Sequence, residues 1–128
     1  NPPYLDRARA NDTPNPARAE ATIEGDAALG DWIRFALTMV KPKGTVTFIH
    51  RADRIDALLG QIAGRAGEVV VFPLWPGQGR PASRIIVRAR KQVASPARLA
   101  VGLVLHEDDG RFSDAAEAVL RGAHALAL

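Results

Sequence analysis

Two short apolar runs fix most of what this chain can become. Thr45-Val46-Thr47-Phe48-Ile49 and Val69-Val70-Val71-Phe72 are dominated by β-branched residues, and they stand on either side of Ala52–Ala66, where Ile55, Leu58, Leu59 and Ile62 recur at helical spacing. A strand, an amphipathic helix and a second strand in that order build a βαβ unit with a right-handed crossover. Ahead of it, Asp26 is a candidate N-cap. Leu29, Trp32, Ile33, Ala36, Leu37 and Val40 then predict a helix over 26–40, stopped by Lys41-Pro42-Lys43-Gly44. The fold class is therefore α/β, with Thr45–Ile49 expected to be buried on both faces of a parallel sheet.

After Phe72 the alternation breaks. Pro73-Leu74-Trp75-Pro76-Gly77-Gln78-Gly79-Arg80-Pro81 is too short and too turn-rich for a helix, and it leads into the period-2 segment Ser83–Arg90. Consecutive strands without a crossover helix pair antiparallel, so antiparallel strands are expected near the C-terminus. Within that segment Ile85 and Val87 share one face, while Arg84, Ile86, Arg88 and Arg90 share the other. Leu99–Leu105 reads as a further strand. Ser113 caps a last helix carrying Ala116, Val119, Leu120 and Ala123. Residues 1–25, rich in Pro, Asn and Asp, form a loop before the 26–128 unit.

Composition narrows the chemistry. The 128 residues are 47% hydrophobic and 24% charged, which fits a single packed globular unit and excludes a disordered chain. There is no cysteine, so disulfide scaffolds, thiolate metal sites and cysteine nucleophiles are excluded together, and the three scattered histidines suggest no metal site. No apolar run approaches the roughly 20 residues of a membrane span, and no signal-peptide pattern opens the chain. The formal net charge of +3 permits nucleic acid as a partner without requiring it. The chain opens on Asn1 in text that reads like the middle of a protein, so the expectation is a fragment whose upstream half lies elsewhere.

Asn1-Pro2-Pro3-Tyr4 is the sharpest local feature. Tandem prolines alone would make a rigid turn. Its place, just ahead of a helix, strand, helix, strand series, is where the preceding strand of an open α/β sheet would end, and ligands bind at that carboxyl edge. The residue types suit transfer to a nitrogen whose lone pair is delocalised. Such a nitrogen becomes nucleophilic when its N–H groups donate to fixed acceptors, which Asn1 Oδ1 and the Pro2 carbonyl can supply with little reorganisation. Tyr4 offers a flat face for a planar substrate.

This tetrapeptide resembles the [DNS]-P-P-[YFW] signature of S-adenosylmethionine-dependent methyltransferases acting on nitrogen. Arg18-Ala19-Glu20, the Lys41-Pro42-Lys43-Gly44 turn, Arg80-Pro81-Ala82-Ser83-Arg84, and Leu105-His106-Glu107 ahead of Phe112-Ser113-Asp114-Ala115-Ala116-Glu117-Ala118 are together similar to the tRNA-Val adenine-N6 methyltransferase family. The resemblance covers nearly the whole chain but only the C-terminal half of such an enzyme. It implies a Rossmann-like seven-stranded sheet of which this chain holds the strands after the fourth. It also implies catalytic roles for Asn1, Pro2, Pro3 and Tyr4, a contact of Asn1 with the cofactor S-adenosylmethionine, and a cytoplasmic RNA substrate, expected to be tRNA. The sequence departs from the family pattern in lacking the glycine-rich loop and the acidic residue that would hold the cofactor. Gly77-Gln78-Gly79 does not replace them, because Arg80-Pro81 follows. The fragment alone is therefore expected to be inactive.

Other residues carry weaker signals. No acidic residue falls between Glu68 and Glu107, while Arg80, Arg84, Arg88, Arg90, Lys91 and Arg98 all do. Such a stripe can track RNA phosphates, or simply solvate an edge strand and block unwanted pairing. Trp75, set among prolines and glycines, is a candidate second base contact, and Arg80, Arg84 and Arg88 are the candidate substrate contacts beside Tyr4. Asp108-Asp109-Gly110 reads as a turn. His50 is placed at the cleft, His106 and His124 as structural or exposed, and Trp32 in the core. A protein-glutamine or other nucleobase methyltransferase and a non-catalytic RNA-binding module remain alternatives. Without strands one to four, the edge at Thr45–Ile49 would be uncovered, so self-association or a tightly held partner half is expected.

Overall fold

The computed structural model describes Leu5–Asp6, Ile23–Glu24 and residues 26–128, with side chains from residue 29 onward. Leu5–Asp6 (β1) and Ile23–Glu24 (β2) form a two-residue parallel pair. The 1–4 motif lies outside the described residues, as does most of the 1–25 loop. The main body runs α1 (Asp26–Met39), β3 (Thr45–Arg51), a 3-10 turn (Ala52–Arg54), α2 (Ile55–Ile62), β4 (Ala66–Trp75), β5 (Arg84–Lys91), β6 (Arg98–Leu99), β7 (Leu103–Val104) and α3 (Asp114–Leu120).

The sheet order is β3-β5-β4-β6, with β7 also on β4. β5 is inserted between β3 and β4 and runs antiparallel to both, whereas β6 and β7 run parallel to β4. β3 and β4 are therefore parallel to each other without being paired. This insertion corrects the expectation for Thr45–Ile49. Among the described residues β3 pairs only with β5, and exposed and buried residues alternate along it, so it is not a doubly buried parallel strand.

One face of the sheet holds the core. Leu29, Ile33 and Leu37 of α1 and Leu58 and Ile62 of α2 pack on Val46 and Phe48 of β3, Ile85, Val87 and Ala89 of β5, and Val69 and Val71 of β4. The expected division of β5 holds: Ile85 and Val87 face the helices. Ile86 is buried on the opposite face with Val70 and Phe72. At the edge of the sheet α3 packs on β7 and buries Ala116.

Several boundaries differ from expectation, each for a local reason. The helix expected over Ala52–Ala66 begins as a 3-10 turn and ends at Ile62, because Gly64 takes a φ of 75° and the chain enters β4 at Ala66. The strand at Val69–Phe72 extends through Pro73 to Trp75. The strand expected over Leu99–Leu105 is broken into β6 and β7. Val71 and Trp75 turn their carbonyls to this edge, accepting from the amides of Ala100 and Leu105. Pro73, between them, faces the same way and has no N–H to give, so the ladder fails there. Trp32 is 45% exposed rather than core, because Leu29, Ile33 and Leu37 form the buried stripe of α1. α3 ends at Leu120, leaving Ala123 outside it at a φ of 54°. No helix among the described residues is long and apolar enough to cross a membrane.

Candidate functional site

Because β3, β4 and β7 point the same way, their carboxyl ends meet along one edge of the sheet. Register places Arg84, the first residue of β5, between Arg51 of β3 and Leu74 of β4 at this edge. In open α/β sheets ligands bind outside the carboxyl ends of the strands. The loop between β4 and β5 stands over that edge. It is closed by a turn in which the Arg80 amide donates to the Gly77 carbonyl at 3.2 Å, and it is tied to β4 by the Ser83 amide donating to the Leu74 carbonyl at 3.3 Å. The Ala52 amide donates to the Ser83 carbonyl at 3.1 Å, joining the end of β3 to the same loop.

A cleft of about 570 Å³ opens between this loop and the break in the β6–β7 edge, lined among others by Trp75, Gln78, Arg80, Val101, Gly102 and Val104. The half-buried Trp75 donates its indole Nε1–H to the Val101 carbonyl at 3.0 Å, which fixes the ring. Gly102, at a φ of 88°, lets the backbone pass beneath it. A second hollow of about 380 Å³ lies across the same loop, bounded by Gln78 and Arg80 on one side and by His106, Glu107 and Asp108 on the other.

The wall of the second hollow is a tight turn, as the sequence suggested. The Gly110 amide donates to the Glu107 carbonyl at 3.0 Å, the Glu107 amide donates to the Arg111 carbonyl at 2.9 Å, and Gly110 takes a φ of 83°. His106 stacks on Phe112 with ring centroids 4.6 Å apart. Asp109 accepts from the Arg111 backbone amide at 3.0 Å and from its Nε at 2.6 Å. Those bonds, the backbone one foremost, hold the Asp109 carboxyl below the usual aspartate range. Among the described residues no group of three or more His, Asp or Glu side chains is arranged to hold a metal ion.

The candidate residues thus separate. Trp75 and Arg80 line one cleft, and Arg84 lies at the same edge. Arg88 does not join them: it sits inside the sheet opposite Thr47 and Val70. Arg90 is taken by Glu68 at 2.8 Å and by the Lys43 carbonyl at 3.2 Å. The basic strand is therefore not one continuous phosphate track. His50 is 1% exposed, opposite Ile85 on the helix side, and lines neither hollow. Asn1, Pro2, Pro3 and Tyr4 lie outside the described residues. Sequence reasoning missed Gln78, Val101 and Gly102 as lining residues; the signal that could have found them is a proline inside one strand and a glycine inside its neighbour.

No protein-family profile matches the chain, and no curated protein does. A solved structure, described as a predicted O-methyltransferase, protein Atu636 from Agrobacterium tumefaciens, is similar at 23% identity with a TM-score of 0.72. The match covers 77% of this chain and 48% of that one, so the chain spans about half the length of that protein. The likeness shows a common fold.

Proposed function

We propose that this chain is the C-terminal half of an S-adenosylmethionine-dependent methyltransferase that modifies the exocyclic N6 of adenine in RNA, with tRNA as the substrate. The observation that carries the reading is the sheet: an antiparallel strand inserted between two parallel ones, in a fold shared with a methyltransferase-type structure over half its length. The Asn1-Pro2-Pro3-Tyr4 motif, ahead of that sheet in sequence, supports the choice of a nitrogen acceptor.

The described residues do not fit a site for the cofactor. The turn from β3 into α2 carries no glycine, and the loop with Gly77 and Gly79 runs into a strand instead of a helix N-terminus. Binding of the methyl donor is therefore assigned to the other half of a larger protein, with Asn1 at its border. This chain's own part concerns the acceptor. The target base, flipped from its strand, stacks on Tyr4. Its amino hydrogens donate to Asn1 Oδ1 and to the Pro2 carbonyl. With both N–H groups donating to fixed acceptors, the lone pair of the acceptor nitrogen is less delocalised into the ring and is held in one orientation.

The test is methylation of unmodified tRNA by the full-length protein, with N6-methyladenosine read by mass spectrometry after digestion. Asn1→Ala is expected to lower kcat by about 100-fold or more, the scale of losing one positioned hydrogen-bonding group in a reaction. Normal turnover by Asn1→Ala would overturn these roles, and methylation of a release-factor glutamine in place of RNA would overturn the substrate.

A further inference from the structure

We infer that the Trp75–Arg80 cleft is a subsite for the nucleotide next to the methylated one, taking its base against the indole and its phosphate at the guanidinium. The inference rests on the RNA reading above and adds to it a second, separate base contact.

The lining carries the argument. The Nε1–H bond to the Val101 carbonyl at 3.0 Å holds the Trp75 indole before any ligand arrives, so little ordering cost remains for stacking. Gly102 packs directly against the indole edge, where a Cβ would lie 2.7 Å from Trp75 Nε1, so the backbone buttresses the ring from that side. Val101 and Val104 make the remaining wall apolar, and Gln78 offers an amide to a base edge. At about 570 Å³ the cleft falls within the roughly 300–1,000 Å³ of small-ligand sites.

Charge sets the orientation. Arg80 is exposed at the rim and forms no ion pair among the described residues, and Arg84 lies at the same sheet edge. Glu107 and Asp108 stand across the loop in the other hollow, where they repel a phosphate. A planar base on a phosphate is therefore favoured on the Trp75 side. Base–aromatic stacking is sequence-tolerant, which suits a neighbouring nucleotide.

The experiment uses the full-length protein and a fluorescein-labelled single-stranded RNA, with binding followed by anisotropy in the absence of cofactor. Trp75→Leu and Arg80→Gln are each expected to weaken binding on the order of tenfold. Arg80 lies on an exposed loop, so its variant tests the site without disturbing the core. An abasic site is then moved along the RNA. At one position it is expected to weaken wild-type binding to the level of Trp75→Leu while changing that variant's binding no further. Unchanged affinity in both variants, or an abasic effect that simply adds to Trp75→Leu, overturns the subsite. Displacement of the RNA by micromolar AMP also overturns it, in favour of a free-nucleotide site. Cleft-dependent RNA binding without any RNA methylation upholds the base and phosphate contacts but overturns the methyltransferase reading, and with it their place beside a methylated nucleotide; methylation indifferent to both variants overturns the subsite and leaves the methyltransferase reading standing.

Discussion

Gly102 lies so close against Pro73 that a Cβ on it would sit 2.4 Å from the Pro73 carbonyl oxygen. Two residues unsuited to an ordinary strand thus meet where the sheet edge opens: Pro73 withholds an N–H, and Gly102 turns away at a φ of 88°. Gly102→Ala adds a clash to a backbone conformation that alanine avoids. It is expected to lower stability by about 2 kcal/mol or more, read as a lower urea midpoint at unchanged slope.

Gly60 is the contrasting case. It lies within α2, and a Cβ there would meet nothing within 4 Å. Gly60→Ala is expected to raise stability by about 0.5–1 kcal/mol, since only backbone entropy is at issue. A loss in the same urea titration would mean that α2 packs differently from what is described.

The alternation of strands and helices, the antiparallel β4–β5 pair and the two faces of β5 were legible because periodicity reports them directly. Trp32 shows the limit of that reading: it shares the helical spacing of Ile33 and Leu37 yet stands 45% exposed, since period alone does not say where the buried stripe ends. The place of β5 between β3 and β4 is a nonlocal choice that no local pattern encodes, and it made β3 alternate. At the candidate site Trp75 and Arg80 were legible from the prolines and glycines around them. Val101 and Gly102 were not, because they reach the cleft through a broken edge strand, with Val101 26 residues downstream of Trp75.

The last helix depends on one hydroxyl. Ser113 Oγ accepts from the Ala116 amide at 3.1 Å and donates to the Val104 carbonyl at 2.7 Å, so it caps α3 and ties it to β7. Ser113→Ala is expected to cost about 1–2 kcal/mol, with Ser113→Thr recovering most of it. Hydrogen exchange of the α3 amides distinguishes local fraying from global loss.

Asp109 gives a pH signature. Its folded pKa is lowered, first by the Arg111 backbone amide and then by the Arg111 side chain. A lowered carboxylate pKa contributes stability that is present above the unfolded value and lost as pH falls through the folded value. A carboxyl-carbon NMR titration is expected to place Asp109 below an unfolded reference peptide, and Asp109→Asn to remove that part of the acid dependence. A reference-like titration would contradict the turn geometry.

In the function proposed above, this chain supplies the acceptor side of a methyltransferase and the cofactor is held elsewhere. Isothermal calorimetry with S-adenosylmethionine, on the full-length protein and on residues 1–128 alone, tests it most directly. Saturable binding is expected for the full-length protein and none for the 128-residue chain. Equal binding by the isolated chain, or no binding by the full-length protein, would contradict it.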